Sequence, residues 1–196
     1  MAAEAQPLGD SKDNRMSYKT ELVKKVLNPN LWPDFERRDF LGELDGIAED
    51  AFLYDTIYGY LSAVLIYHQL TDEVVQVLLK NARFFIQLSI FPVELNFPDK
   101  KDKMFGELMQ DLESTVEFEQ KELILQKARK LNSIRIQIVH KLTKQSSLDE
   151  IKNQAVIVKE LFYEIFDLCR GANDYFAQVF HDCKKDVDWE EYLEEG

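Results

Sequence analysis

The chain has 196 residues, of which 45% are hydrophobic and 12% aromatic, and its formal net charge is −12. Such a chain can bury one sizeable core and is too apolar for an acidic disordered protein, while only 7 Gly and 5 Pro exclude collagen-like and Gly/Pro-rich classes. A charge of this sign and a pI near 4.8 also exclude uniform coating of nucleic acid, so a phosphate backbone could meet only locally gathered basic residues.

The two cysteines, Cys169 and Cys183, are too few for a disulfide framework or a four-cysteine metal site, and they predict a reducing, cytoplasmic compartment. No apolar run reaches the length of about 18 residues that a membrane span needs, so no membrane association is expected. The first residues, MAAEAQPLGDSKDNRMS, lack a basic segment followed by an apolar one and predict a disordered tail over 1–16, leaving one domain over 17–196.

Apolar residues recur at helical spacing almost throughout, and no sustained period-two alternation is present, which predicts an all-α fold: a single bundle of long antiparallel helices. A first helix over Tyr18 to Leu27 ends at Asn28-Pro29, because proline cannot continue a helix and disfavours helical backbone before it. From Asp34 to about Gln69 the pattern is helical with interruptions near Gly42, Gly46 and Gly59, and its later half is apolar on most sides, as a central core helix is. Thr71, followed by Asp72 and Glu73, reads as the N-cap of a new helix reaching about Ser89, where FPVELNFP ends it. A helix from about Asp99 to Glu113 and a longer one from about Glu119 to Lys144 come next. Ser147 with Glu150 then forms a capping-box signature. Beyond it, Ile151, Ala155, Val158, Phe162, Ile165, Cys169, Ala172, Phe176, Val179 and Cys183 fall at alternating spacings of four and three, the seam of a helix packed along its length. That seam fits either a core helix antiparallel to the preceding one or a surface for a partner protein. The acidic end, DVDWEEYLEEG, suits a short helix pinned by Trp189, Tyr192 and Leu193, or an acidic docking tail.

Most catalytic templates are missing: there is no glycine-rich phosphate loop, no Gly-x-Ser-x-Gly and no Cys-x-x-Cys. His68, His140 and His181 have no second His or Glu at the helical spacings of zinc or di-iron bundles, so no metal and no cofactor is expected. His181 and Cys183 lie two positions apart, which on a helix turns them away from one another, and His68 reads as a satisfied core or helix-terminal histidine.

One stretch stands apart. Between Lys121 and Lys144 lie Lys121, Lys127, Arg129, Lys130, Arg135, Lys141 and Lys144 against the single acid Glu122, a basic helix on an acidic body. Lys127, Arg129, Lys130, Lys141 and Lys144 could face RNA, or could form a solvated face paired with acidic neighbours. Leu125, Ala128, Leu131, Ile138, Val139 and Leu142 define an apolar arc with Arg135 in its middle and His140 about 140° around the helix, at the far edge. Asn132 and Ser133 lie between the two directions. An arginine so placed must find partners. In one reading it forms a buried ion pair with a carboxylate while His140 caps the face. In the other, the helix crosses its own copy at a two-fold axis, and the Arg135 and His140 of both chains converge on one cleft, since the helix alone holds the two apart.

The run LNSIRIQIVHKL, Leu131 to Leu142, resembles the motif of HEPN domains, a superfamily of all-α bundles marked by Arg, four to six residues, then His. Here the spacing is four, with Arg135 and His140 in those places; MFGELMQDLE, at Met104 to Glu113, resembles the approach segment of some members, and the resemblance covers roughly Tyr54 to Lys185. It implies a homodimer with a composite, metal-independent ribonuclease site. His140 would act as general base or acid at the ribose 2′-hydroxyl, Arg135 would stabilise the charge of the phosphorane, and the product would carry a 2′,3′-cyclic phosphate. Many members are prokaryotic toxins or defence effectors held in check by a partner protein or by nucleotidyl modification. One position departs from the pattern: active members usually carry a polar residue, often Asn, directly after the arginine, whereas this chain has Ile136, so that role is missing or shifted to Asn132. Some HEPN domains bind without cutting. A non-catalytic interaction or regulatory protein, docking another protein through the apolar seam and acidic surface, is the alternative.

Overall fold

A computed structural model describes residues 11–97, 103–145 and 147–194, and among these every element is helical. We number the α-helices α1 (Ser11–Leu27), α2 (Arg38–Leu53), α3 (Ile57–Ser89), α4 (Phe105–Glu113), α5 (Lys121–His140), α6 (Leu148–Asp186) and α7 (Glu191–Glu194), with single 3-10 turns at Pro29–Leu31 and Leu142–Lys144. The expected tail over 1–16 lies outside the described residues up to position 10, and α1 begins at Ser11.

The core is organised around α3, at 33 residues about 50 Å long. It packs against α2, α4, α5 and α6. Ring contacts fix the direction of α6: Tyr67 meets Phe162 at 5.0 Å and Phe84 meets Phe180 at 4.7 Å, so the two longest helices run parallel. Helix α5 runs antiparallel to α6, with Lys127 reaching Glu164 at one end and Gln145 facing Gln154 at the other. Eight of the ten seam residues of α6, from Ile151 to Phe176, are buried, with Val179 and Cys183 half-buried. The seam is therefore filled by the chain's own α3 and α5, and it is not free to dock another protein. Its start is as the spacing predicts, with the Ser147 hydroxyl accepting from the Glu150 N–H at 3.1 Å.

The sequence reading divides α3 at Thr71, and the helix is in fact continuous there. Thr71 is fully buried and its hydroxyl donates to the Tyr67 carbonyl, 2.7 Å away within the same helix, so its polar group is satisfied without a helix break. The real break lies earlier, at Tyr54 to Thr56. Asp55 takes a left-handed φ of 49°, and Thr56 caps α3 by accepting from the Gly59 N–H at 3.1 Å. Gly59 permits this tight return: a Cβ there would sit 2.1 Å from the Ala51 carbonyl oxygen. At the other end of the chain Trp189 is buried against Phe91, and Tyr192 packs edge-on against the same ring at 4.9 Å, as the pinned terminal helix requires; the Leu193 side chain lies outside the described residues.

Candidate functional site

Helix α5 presents its polar residues to α3 at one place. Its apolar face, with Ile124, Leu125, Ala128, Leu131 and Ile138 fully buried, holds the helix in register, and this turns Asn132 and Arg135 toward the middle of α3. There they meet His68. Arg135 Nη2 lies 3.2 Å from His68 Nε2, and Asn132 Oδ1 lies 3.1 Å from the same nitrogen. Arg135 Nη1 lies 3.4 Å from His140 Nε2, at the last residue of α5. The guanidinium thus bridges two imidazoles, one half-buried and one exposed.

Two expectations change here. The 140° between Arg135 and His140 on the helix does not keep them apart within one chain, because the long arginine side chain swings around the helix edge to reach the imidazole near the C-terminus. The alternative in which Arg135 forms a buried ion pair is not what is seen: among the described residues no carboxylate pairs with it, and its Nε is buried without a partner. Asn132 reaches His68 rather than bridging to His140, and Ser133 is exposed and has no hydrogen bond among the described residues.

Sequence reasoning missed the place of His68 in the site, opposite Asn132 and Arg135. Of the two readings, a satisfied core histidine or a helix-terminal one, the first is what is seen: in a continuous α3 it stands mid-helix and half-buried, where an imidazole requires a partner. The signal that finds it is the ability of Thr71 to bond back to Tyr67, which keeps the helix going. Burial, then the charge of Arg135, push the His68 pKa down to about 4, against a smaller opposing effect of the Asn132 hydrogen bond. The ring is therefore neutral at pH 7, and Phe105 of α4 packs on it at 4.8 Å. A neutral ring has one N–H, so Nε2 either accepts from Arg135 or donates to Asn132, not both at once. In the second state Arg135 Nη2 is released from His68.

The chemistry open to this arrangement is that of a half-buried cation with donors aimed at two imidazoles and, among the described residues, no carboxylate to cancel it, which favours an anion. Beside it, Ile136 is 38% exposed, and Tyr58 and Leu65, on the α3 stripe leading to His68, are exposed at 79% and 44%. The basic residues divide. Lys127 pairs with Glu164 at 2.8 Å and Arg129 with Glu113 at 2.6 Å, whereas Lys130, Lys141 and Lys144 are exposed with no partner among the described residues. Lys121 is a structural cation: at 3% exposure its ammonium donates to the carbonyls of Glu113 and Thr115 and to Glu117. His181 packs edge-on against Trp32 at 4.6 Å. Burial pushes the Cys169 thiol up to about 12, so it is an inert core group, and Cys183 is also a free thiol. Among the described residues no group of three or more His, Cys, Asp or Glu is placed to hold a metal ion, and no helix is long and apolar enough to cross a membrane. In comparisons with known proteins no family model, curated protein or solved structure matches the chain.

Proposed function

We propose that the protein is a HEPN-like, metal-independent endoribonuclease of a prokaryotic toxin, defence or stress system, working as a homodimer. The observation that carries this reading is the contact of Arg135 with both His68 and His140 in the absence of any carboxylate partner among the described residues. A phosphate seated on the guanidinium would bring its ribose to the exposed His140, which exchanges the 2′-hydroxyl proton as general base or acid. Arg135 stabilises the growing charge of the phosphorane as the 2′-oxygen bonds to phosphorus; the bond to the 5′-oxygen of the next nucleotide then breaks, that oxygen leaves as a hydroxyl with the proton His140 returns, and a 2′,3′-cyclic phosphate remains. Asn132, bonded to His68, takes the place of the polar residue that the motif lacks at Ile136. The exposed Tyr58, Leu65 and Ile136 beside the site support an interface between two copies that would close it from water. Regulation by a partner protein belongs to the same reading.

The test is cleavage of mixed transfer and messenger RNA by the purified protein in chelator, beside His140→Ala. Cyclic phosphate ends from the wild type, lost in the variant at unchanged Tm, support the proposal. Absence of cleavage by a stable wild-type protein overturns catalysis and leaves a binding protein.

A further inference from the structure

On the opposite side of α3 from His68 lies a feature that the ribonuclease reading does not use. Leu70, Val74, Val77 and Asn81 of α3 form the floor of a cleft of about 770 Å³, walled by α2, α6 and the Pro29–Phe35 segment. The volume lies within the range of small-molecule sites. Its walls are aromatic, with Trp32 at one end and Phe162 at the other, and between them α2 contributes Gly42. A glycine inside a helix weakens it, and no neighbour requires this one: a Cβ at Gly42 would meet nothing within 4 Å. Its effect is open space over the cleft.

The charges around the cleft do not cancel. Arg38 is taken by Asp34 at 2.6 Å and Arg170 by Asp167 at 2.9 Å. Asp45 and Asp174 remain without an ion pair among the described residues. Asp45 accepts from the Tyr163 hydroxyl at 2.9 Å and has no ion pair among the described residues, Lys159 being held by Glu49 at 2.6 Å. Deeper in, Asn81 is 5% exposed and its amide nitrogen contacts Asn173 Oδ1 at 3.1 Å and two carbonyls, while its own Oδ1 has no partner among the described residues. The unmatched groups are thus acceptors and anions, set around an aromatic, apolar floor.

We propose that this cleft binds an elongated apolar molecule ending in a cationic amine. The floor takes the apolar body, and Asp45, beside Tyr163 at one end of the cleft, takes the ammonium.

The test is titration calorimetry of the full chain with dodecylammonium, dodecanoate and dodecanol, each below its micellar concentration. Dodecylammonium should bind one to one, at least tenfold tighter than the other two, and more tightly than octylammonium. The substitution Asp45→Asn should abolish the preference for the amine. Gly42→Leu, at an exposed helix position where leucine is the better helix former, should lower affinity at least tenfold without lowering Tm. Dodecanoate binding as tightly as the amine overturns the charge assignment. Amine binding that does not saturate at one per chain, or that survives Gly42→Leu, overturns the cleft as the site.

Discussion

Lys121 and Arg135 are cations on the same helix, fourteen positions apart and both drawn in from solvent, yet their surroundings differ in kind. Lys121 stands at the start of α5 and spends all three donors on α4 and the turn after it, two on backbone carbonyls and one on Glu117. It closes the C-terminal end of α4, where carbonyls lack helical partners and a positive charge is favoured. Arg135 has imidazoles in place of carbonyls and carboxylates, and one nitrogen left over. A cation whose donors all end on fixed acceptors is committed to the fold. One whose donors end on groups that can themselves give the bond up remains available to an incoming anion.

On the proposed ribonuclease reading, the largest effect expected from this contrast is on RNA cleavage. His140→Ala and Arg135→Ala should each lower that cleavage by about 10² to 10⁴-fold, while their unfolding free energies in urea stay within about 1 kcal/mol of the wild type. Single-turnover cleavage beside equilibrium unfolding checks both halves. A large stability loss in Arg135→Ala with no loss of cleavage would break the distinction, because the arginine would then be structural like Lys121.

The converse should hold for Lys121→Met. Two carbonyls and a carboxylate lose their shared donor in a buried setting, for a cost of about 3 kcal/mol in urea unfolding, with cleavage by the folded fraction unchanged.

The pH dependence of folding isolates His68. Its folded pKa of about 4 lies below its ordinary value, so between the two the unfolded chain binds the proton and the native chain does not. Stability from this residue is therefore intact above about pH 6.5 and falls as pH drops toward 4, by about 1–2 kcal/mol once solvent screening of a half-exposed ring is allowed for. His68→Gln should remove that segment of the stability curve. An unchanged curve would mean that the imidazole is not held neutral against Arg135.

How far these features were readable in the chain follows from the range of the forces that set them. The all-α class, the cap at Ser147 and the seam from Ile151 are local patterns, so spacing alone exposes them. Arg135 and His140 were visible as an arginine in an apolar arc and a histidine at its edge, five residues apart. The partners of His68 were not, because they lie 64 and 67 residues away and the continuity of α3 is helped by one hydroxyl bond at Thr71. The position of Asn132 opposite His68, rather than between Arg135 and His140, likewise depends on how α3 crosses α5, which no single-helix projection contains.

The smallest effect concerns the basic face, where the same distinction between committed and available cations recurs at the surface. Lys127 and Arg129 are held by Glu164 and Glu113, and exposed pairs of this kind contribute only about 0.2–1 kcal/mol, so Lys127→Ala and Arg129→Ala should barely move Tm. Their charge is already matched, and an RNA phosphate would have to compete with a carboxylate for it. Lys130, Lys141 and Lys144 face no such competition among the described residues. If RNA lies along α5, each free lysine that contacts a phosphate releases a counterion when it binds. Replacing one by alanine should then lower the slope of log affinity against log salt by about 0.7, the single-strand value, whereas Lys127→Ala or Arg129→Ala should leave the slope nearly unchanged. Fluorescence anisotropy with His140→Ala protein across a salt series measures this directly. Equal slope changes at all five positions would show that the carboxylates release their lysine and arginine to the RNA, and that pairing in the free protein does not decide which cations are available.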